Sequence, residues 1–188
     1  GVTAGSGYTD SDGYFEAEGI ALNSGSSGSL VLVSGSTAAL VTPSTSNAPG
    51  QPMSAPFSTV VDGSISFGGD NDVGTFTLSD ANDSGGATRA PLLIATTMDR
   101  IRSLVETTTG VTVPRIDVFY DPNSASPSNY SAGGTQTPPS IRISGVSANN
   151  PDALDPAVIA RLYMRHVLNS VTGTTSSSFT SSLDVQQS

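Results

Sequence analysis

The chain contains no cysteine, no lysine and no tryptophan, and only one histidine. Without cysteine there is no disulfide, no thiolate metal site and no cysteine nucleophile. Without lysine the phosphate-cradling G-x-x-x-x-G-K loop cannot be built. All seven basic residues are arginines, set against sixteen acidic ones, for a formal charge of -9. A duplex-binding protein needs several cations to displace counterions from phosphates, so nucleic acid is not an expected partner. No apolar run approaches the roughly 18 residues of a membrane-spanning helix, so no transmembrane segment is expected. Gly1 opens a polar, glycine-rich stretch and not a basic and then apolar one, which reads as a processed chain or an excised fragment. The single histidine and the lack of a G-x-S-x-G elbow argue against a serine triad. Acids set in turns identify no carboxylate pair for glycosidase chemistry.

What is present is small and polar. The chain has 188 residues, long enough to bury a core, yet only 36% are hydrophobic and 12% charged. Serine, threonine and glycine fill the difference from an average globular composition. Two N-glycosylation acceptors, Asn82-Asp83-Ser84 and Asn129-Tyr130-Ser131, join this composition in pointing to an extracellular or cell-surface location.

Periodicity divides the chain. Residues 1 to 80 read as short strands between turn-forming clusters: Tyr14 to Ile20, Leu30 to Val33, Ala38 to Thr42, Phe57 to Val61, Ser64 to Phe67 and Val73 to Leu78. Leu30 to Val33 is apolar on both faces and reads as a central strand. A small β-sandwich module is expected there. Over residues 81 to 173 the period changes to 3.6. Ile94, Met98, Ile101 and Val105, with Thr97 and Leu104 beside them, predict a helix from Pro91 to a stop at Gly110. Arg115 to Tyr120 and Ile141 to Ile143 read as strands. A second helix starts where Asp155 can cap free amides and Pro156 can take the first helical position. Its core face is Val158, Ile159, Leu162, His166, Val167 and Ser170. Residues 174 to 188, mostly serine and threonine, read as a tail, linker or exchanged strand. The fold class is therefore α+β.

The order helix, strand, loop, strand, helix resembles the upper lobe of a zincin-type zinc metallopeptidase. The words Val113-Pro114-Arg115-Ile116-Asp117-Val118-Phe119-Tyr120-Asp121-Pro122 and Ile141-Arg142-Ile143-Ser144-Gly145 are similar to the strands of secreted bacterial members. Asp155-Pro156-Ala157-Val158-Ile159-Ala160-Arg161-Leu162-Tyr163-Met164-Arg165-His166-Val167 is similar to their helix D-x-A-V-I-A-H-E-Y-G-H-H-V. In H-E-x-x-H, histidines four apart offer nitrogens to zinc while the glutamate takes a proton from metal-bound water. Carried onto this chain, the resemblance puts Arg161 and Arg165 at the ligand positions and Leu162 at the base position. Two guanidiniums repel a dication and leucine accepts no proton. His166 falls one residue past the second ligand position, about 100° around the helix. Thr9-Asp10-Ser11-Asp12-Gly13-Tyr14-Phe15-Glu16 resembles the turn and strand of transthyretin-like or carboxypeptidase-regulatory β-modules, where the acids and glycine form a tight turn.

Asp80, Asn82 and Ser84 place oxygen donors at alternate positions, like the first half of a calcium loop. Pro91 stands where the bidentate glutamate should come, which excludes an EF-hand. Asp10-Ser11-Asp12 and Asp70-Asn71-Asp72 read as acidic turns. The expected protein is a secreted, non-catalytic structural or adhesive subunit on a degenerate metallopeptidase-like scaffold, without a cofactor. It self-associates through residues 1 to 8 or the tail from Thr174 to Ser188. The alternative is a zinc metallopeptidase fragment whose H-E-x-x-H is lost or misread in these letters, with zinc as its cofactor.

Overall fold

The computed structural model describes residues 27–43, 55–66, 89–135, 137–145 and 152–172, with residues 6 and 75 as isolated positions. They form a mixed α+β structure with two helices and two small sheets. Strand β1 (Ser27–Val33) pairs antiparallel with β3 (Ser58–Ser66). Strands β2 (Ala39–Pro43), β4 (Ile116–Asp121), β5 (Asn129–Ser131) and β6 (Ser140–Ser144) make the second sheet, in the order β2-β4-β6-β5. The first three of these are parallel and β5 is antiparallel to β6. Helix α1 (Arg89–Thr109) precedes β4; α2 (Pro156–Thr172) follows β6 after a 3₁₀ turn, Asp152–Leu154.

Both helices form where the apolar spacing places them. In α1, Ala90, Pro91, Ile94, Ala95 and Met98 are buried, with Ile101 and Val105 half-buried beyond them. The helix begins two residues earlier than Pro91. That proline still lies in the first turn, where its missing N–H is one of the unmatched donors. Gly110 ends the helix at φ +71° and donates its N–H to the Glu106 carbonyl at 2.8 Å. Leu104, expected beside the apolar stripe, is 67% exposed. In α2 the cap is as expected, with Asp155 Oδ1 accepting from the Ala157 N–H at 2.8 Å and Pro156 opening the helix. Ile159, Leu162, Tyr163, His166 and Val167 are buried, while Ser170 is exposed.

Strand β4 alternates as the sequence predicts, with Ile116, Val118 and Tyr120 buried and the intervening residues half-buried. These side chains share one core with Val41, Ile94, Met98, Ile141, Ile143, Ile159, Leu162 and Tyr163. Helix α1 lies against β2 and α2, and α2 reaches β5 and β6.

The N-terminal strands differ from expectation in partnership. Leu30 to Val33 belongs to β1, which among the described residues pairs with β3 alone and so has one neighbour there where two were expected. Val31 and Val33 are 45% and 41% exposed, and no element among the described residues covers their side of the two-stranded sheet. The stretches Phe57 to Val61 and Ser64 to Phe67, expected as two strands, run together as β3. Strand β2, N-terminal to the boundary drawn at residue 80, pairs with β4 beyond it, Ala39 opposite Ile116 and Val41 opposite Val118. Phe57 ties the sheets together: its carbonyl accepts from the Ser34 N–H at 2.8 Å and its ring lies 5.6 Å from that of Tyr120. Tyr14 to Ile20, and Val73 to Leu78 apart from residue 75, lie outside the described residues.

Candidate functional site

In the helix that carries the resemblance, positions 161 and 165 share the outward side and position 162 turns inward. Arg161 is exposed, Arg165 half-buried, and Leu162 is 1% exposed inside the core. Metal-bound water needs its base and both ligands to face one opening. Here the base position faces Ile159 and Tyr163 in the apolar cluster instead. No group of three or more His, Cys, Asp or Glu side chains converges among the described residues. The residues at 161, 162 and 165 do not fit a zinc ion: two are cations and the third carries no donor atom.

His166, read from the sequence as one residue past a ligand position, ties α2 to the segment that leads into β4. It is 2% exposed, and its Nε2 lies 2.9 Å from the Pro114 carbonyl in the segment leading into β4. A carbonyl only accepts, so Nε2 carries the hydrogen and Nδ1 is the bare nitrogen. Nδ1 is buried without a hydrogen-bond partner among the described residues. The rings of Tyr163 and Tyr130 lie 5.8 Å and 6.3 Å from the imidazole. Burial holds the His166 pKa below its ordinary value, and the bond to Pro114 works the other way. Burial pushes the Tyr163 hydroxyl up to about 12. It also raises Tyr130, against the effect of Asn169 beside it.

A cleft of about 310 Å³ opens beside this cluster, lined by Pro114, Arg115, Asp117, Pro139, His166 and Asn169, among others. Its size is at the lower end for small-ligand sites. Burial raises the pKa of Asp117, and the neighbouring Arg115 charge opposes that shift. Three residues here were invisible to pattern: Pro114, which acts through its backbone carbonyl, and Tyr130 and Asn169, which sit on different elements. Only the helical spacing of His166 signalled burial.

A second polar cluster sits at the C-terminal ends of β4 and β6. The Ser144 N–H donates to Ser128 Oγ at 2.9 Å, and Ser144 Oγ donates to Ser124 Oγ at 3.3 Å. The Ser128 N–H points at Asp152 Oδ2, 3.4 Å away. Gly145 beside it is obligatory, since a Cβ there would fall 1.9 Å from the Pro122 carbonyl oxygen. Serine is used here as turn scaffolding, which accounts for part of its abundance.

The remaining sequence candidates divide by position. Asn129 is exposed in edge strand β5. Asp80, Asn82 and Ser84, with the turns at Asp10-Ser11-Asp12 and Asp70-Asn71-Asp72, lie outside the described residues. No helix among the described residues is long and apolar enough to cross a membrane. No known protein family, no curated protein and no solved structure matches this chain.

Proposed function

We propose that the chain is a non-catalytic structural or adhesive subunit of an extracellular or cell-surface assembly, on a scaffold resembling a metallopeptidase lobe. One observation carries this: Leu162, at the position where the resemblance requires the catalytic base, is built into the core. The helix serves packing, and the arginines at 161 and 165 are left facing outward. Support for an extracellular setting comes from the Ser/Thr/Gly-rich composition and from Asn129, an exposed residue within an N-x-S acceptor. Along the chain the elements run α1, β4, β5, β6, a 3₁₀ turn and α2, where the resemblance led to the expectation of helix, strand, loop, strand, helix.

Zinc separates this proposal from the metallopeptidase alternative. Elemental analysis of protein purified without added metal is expected to find no stoichiometric zinc, and added zinc is expected to produce no peptide hydrolysis. One tightly held zinc per chain would overturn the proposal.

A further inference from the structure

The outward side of α2 joins charge to apolar surface. Arg161 is exposed and Arg165 half-buried; Met164 is 36% exposed and Val171 49%, with Leu168 half-buried between them. Among the described residues the other arginines are engaged. Arg102 bonds Glu106 and the Thr37 carbonyl, Arg115 stands beside Asp117, and Arg89, Arg100 and Arg142 have interactions of their own. Arg161 and Arg165 have no acidic partner among the described residues.

Charge is unevenly divided along the chain. Residues 1–88 hold nine of the sixteen acidic residues and none of the seven arginines, so the whole formal charge of -9 resides there. From Arg89 onward acids and arginines balance. Within the acidic part, Tyr14, Glu16, Glu18 and Ile20 alternate, so an extended chain presents all four on one side. Its two carboxylates then recur about every 6.6 Å. Residues four apart on a helix rise about 6 Å, so Arg161 and Arg165 repeat at nearly the same spacing.

We propose that the outward face of α2 is a docking surface for a second copy of this chain, which lays residues 14–20 across it in extended form. Glu16 and Glu18 meet Arg165 and Arg161 on either side of Met164, which sets Tyr14 over Leu168. The proposal rests on the assembly function above and names its contact. Ion pairs at a wet surface are individually weak, so association is modest and salt-sensitive.

Light scattering on the full chain over a wide concentration range, at salt from about 0.05 to 1 M, tests this. The expected result is a mass that rises above the monomer with concentration and falls back at high salt. R161E/R165E and E16R/E18R, each checked for native circular dichroism, are each expected to weaken association at least about tenfold. An equimolar mixture of the two regains association through reversed pairs. Association unchanged in both double variants overturns this surface and leaves the structural-subunit function standing. A parent chain monomeric at every concentration and salt overturns both. Loss in each variant without recovery in the mixture overturns the pairing of residues 16 and 18 with 161 and 165.

Discussion

Leu162 and His166 stand one turn apart on the buried side of α2 and respond to different perturbations. Leu162 is 1% exposed among aliphatic neighbours. Leu162→Asp places an unpaired carboxylate there and is expected to cost more than about 4 kcal/mol. Leu162→Ala, which only removes volume, should cost about 2 to 5 kcal/mol. Thermal melts check both, and a melting point within a degree or two of the parent for Leu162→Asp would place residue 162 outside the core. His166 should be visible in pH dependence. Its folded pKa is lowered from 6.5, chiefly by burial, so the unfolded chain takes up the proton first as pH falls. The stabilisation is complete above about pH 6.5 and is lost as pH drops through that value towards the folded pKa. It is the only histidine in the chain, so the part of the slope between roughly pH 7 and 5 that its replacement removes belongs to it. Chemical denaturation across that window should show stability falling less steeply with acidity in His166→Leu than in the parent.

At the scale of elements, the two sheets should differ in how firmly they hold. Strand β4 is paired on both sides, by β2 and β6, and its inward residues are buried. Strands β1 and β3 form a two-stranded sheet with exposed valines on β1. Such a pair is marginal alone. Amide hydrogen exchange should therefore be slowest at Val118 and Tyr120 and distinctly faster at Val31 and Leu32, and equal protection in both would show the two-stranded sheet to be covered. What the sequence made legible follows the same division. Helix α2 was readable because Asp155-Pro156 is a chemical start signal as well as a pattern. Helix α1, β4 and β6 were readable because one buried face imposes a period. Strand β5 was not, since three residues in a serine-rich loop carry no period and Asn129–Ser131 is held by its neighbour β6. The partners of β1 and β2 were equally hidden: Leu30 to Val33 has the composition of a central strand but only one neighbour among the described residues. At the site, the helical spacing revealed that His166 is buried. Its partner at Pro114 is a backbone oxygen, which side-chain patterns do not report.

For the molecule as a whole, α2 unites core and surface in one element. Its inner side closes the apolar cluster through Ile159, Leu162 and Tyr163, and its outer side leaves two arginines without acidic partners among the described residues. The parallel pairing of β2 with β4 sets a condition in time. Ala39 meets Ile116 and Pro43 meets Tyr120, with β3 and all of α1 between them in the chain. A parallel pair of such wide separation must close a long loop before any contact rewards it. During synthesis β2 therefore waits unpaired until β4 has emerged, and its apolar stretch is available to wrong partners throughout that interval. Refolding from denaturant should accordingly form helical signal first and bury the Tyr120 ring later. Val41→Thr, which weakens β2 on its inner side, should deepen any loss to aggregation during refolding, measured as the yield of soluble protein against chain concentration.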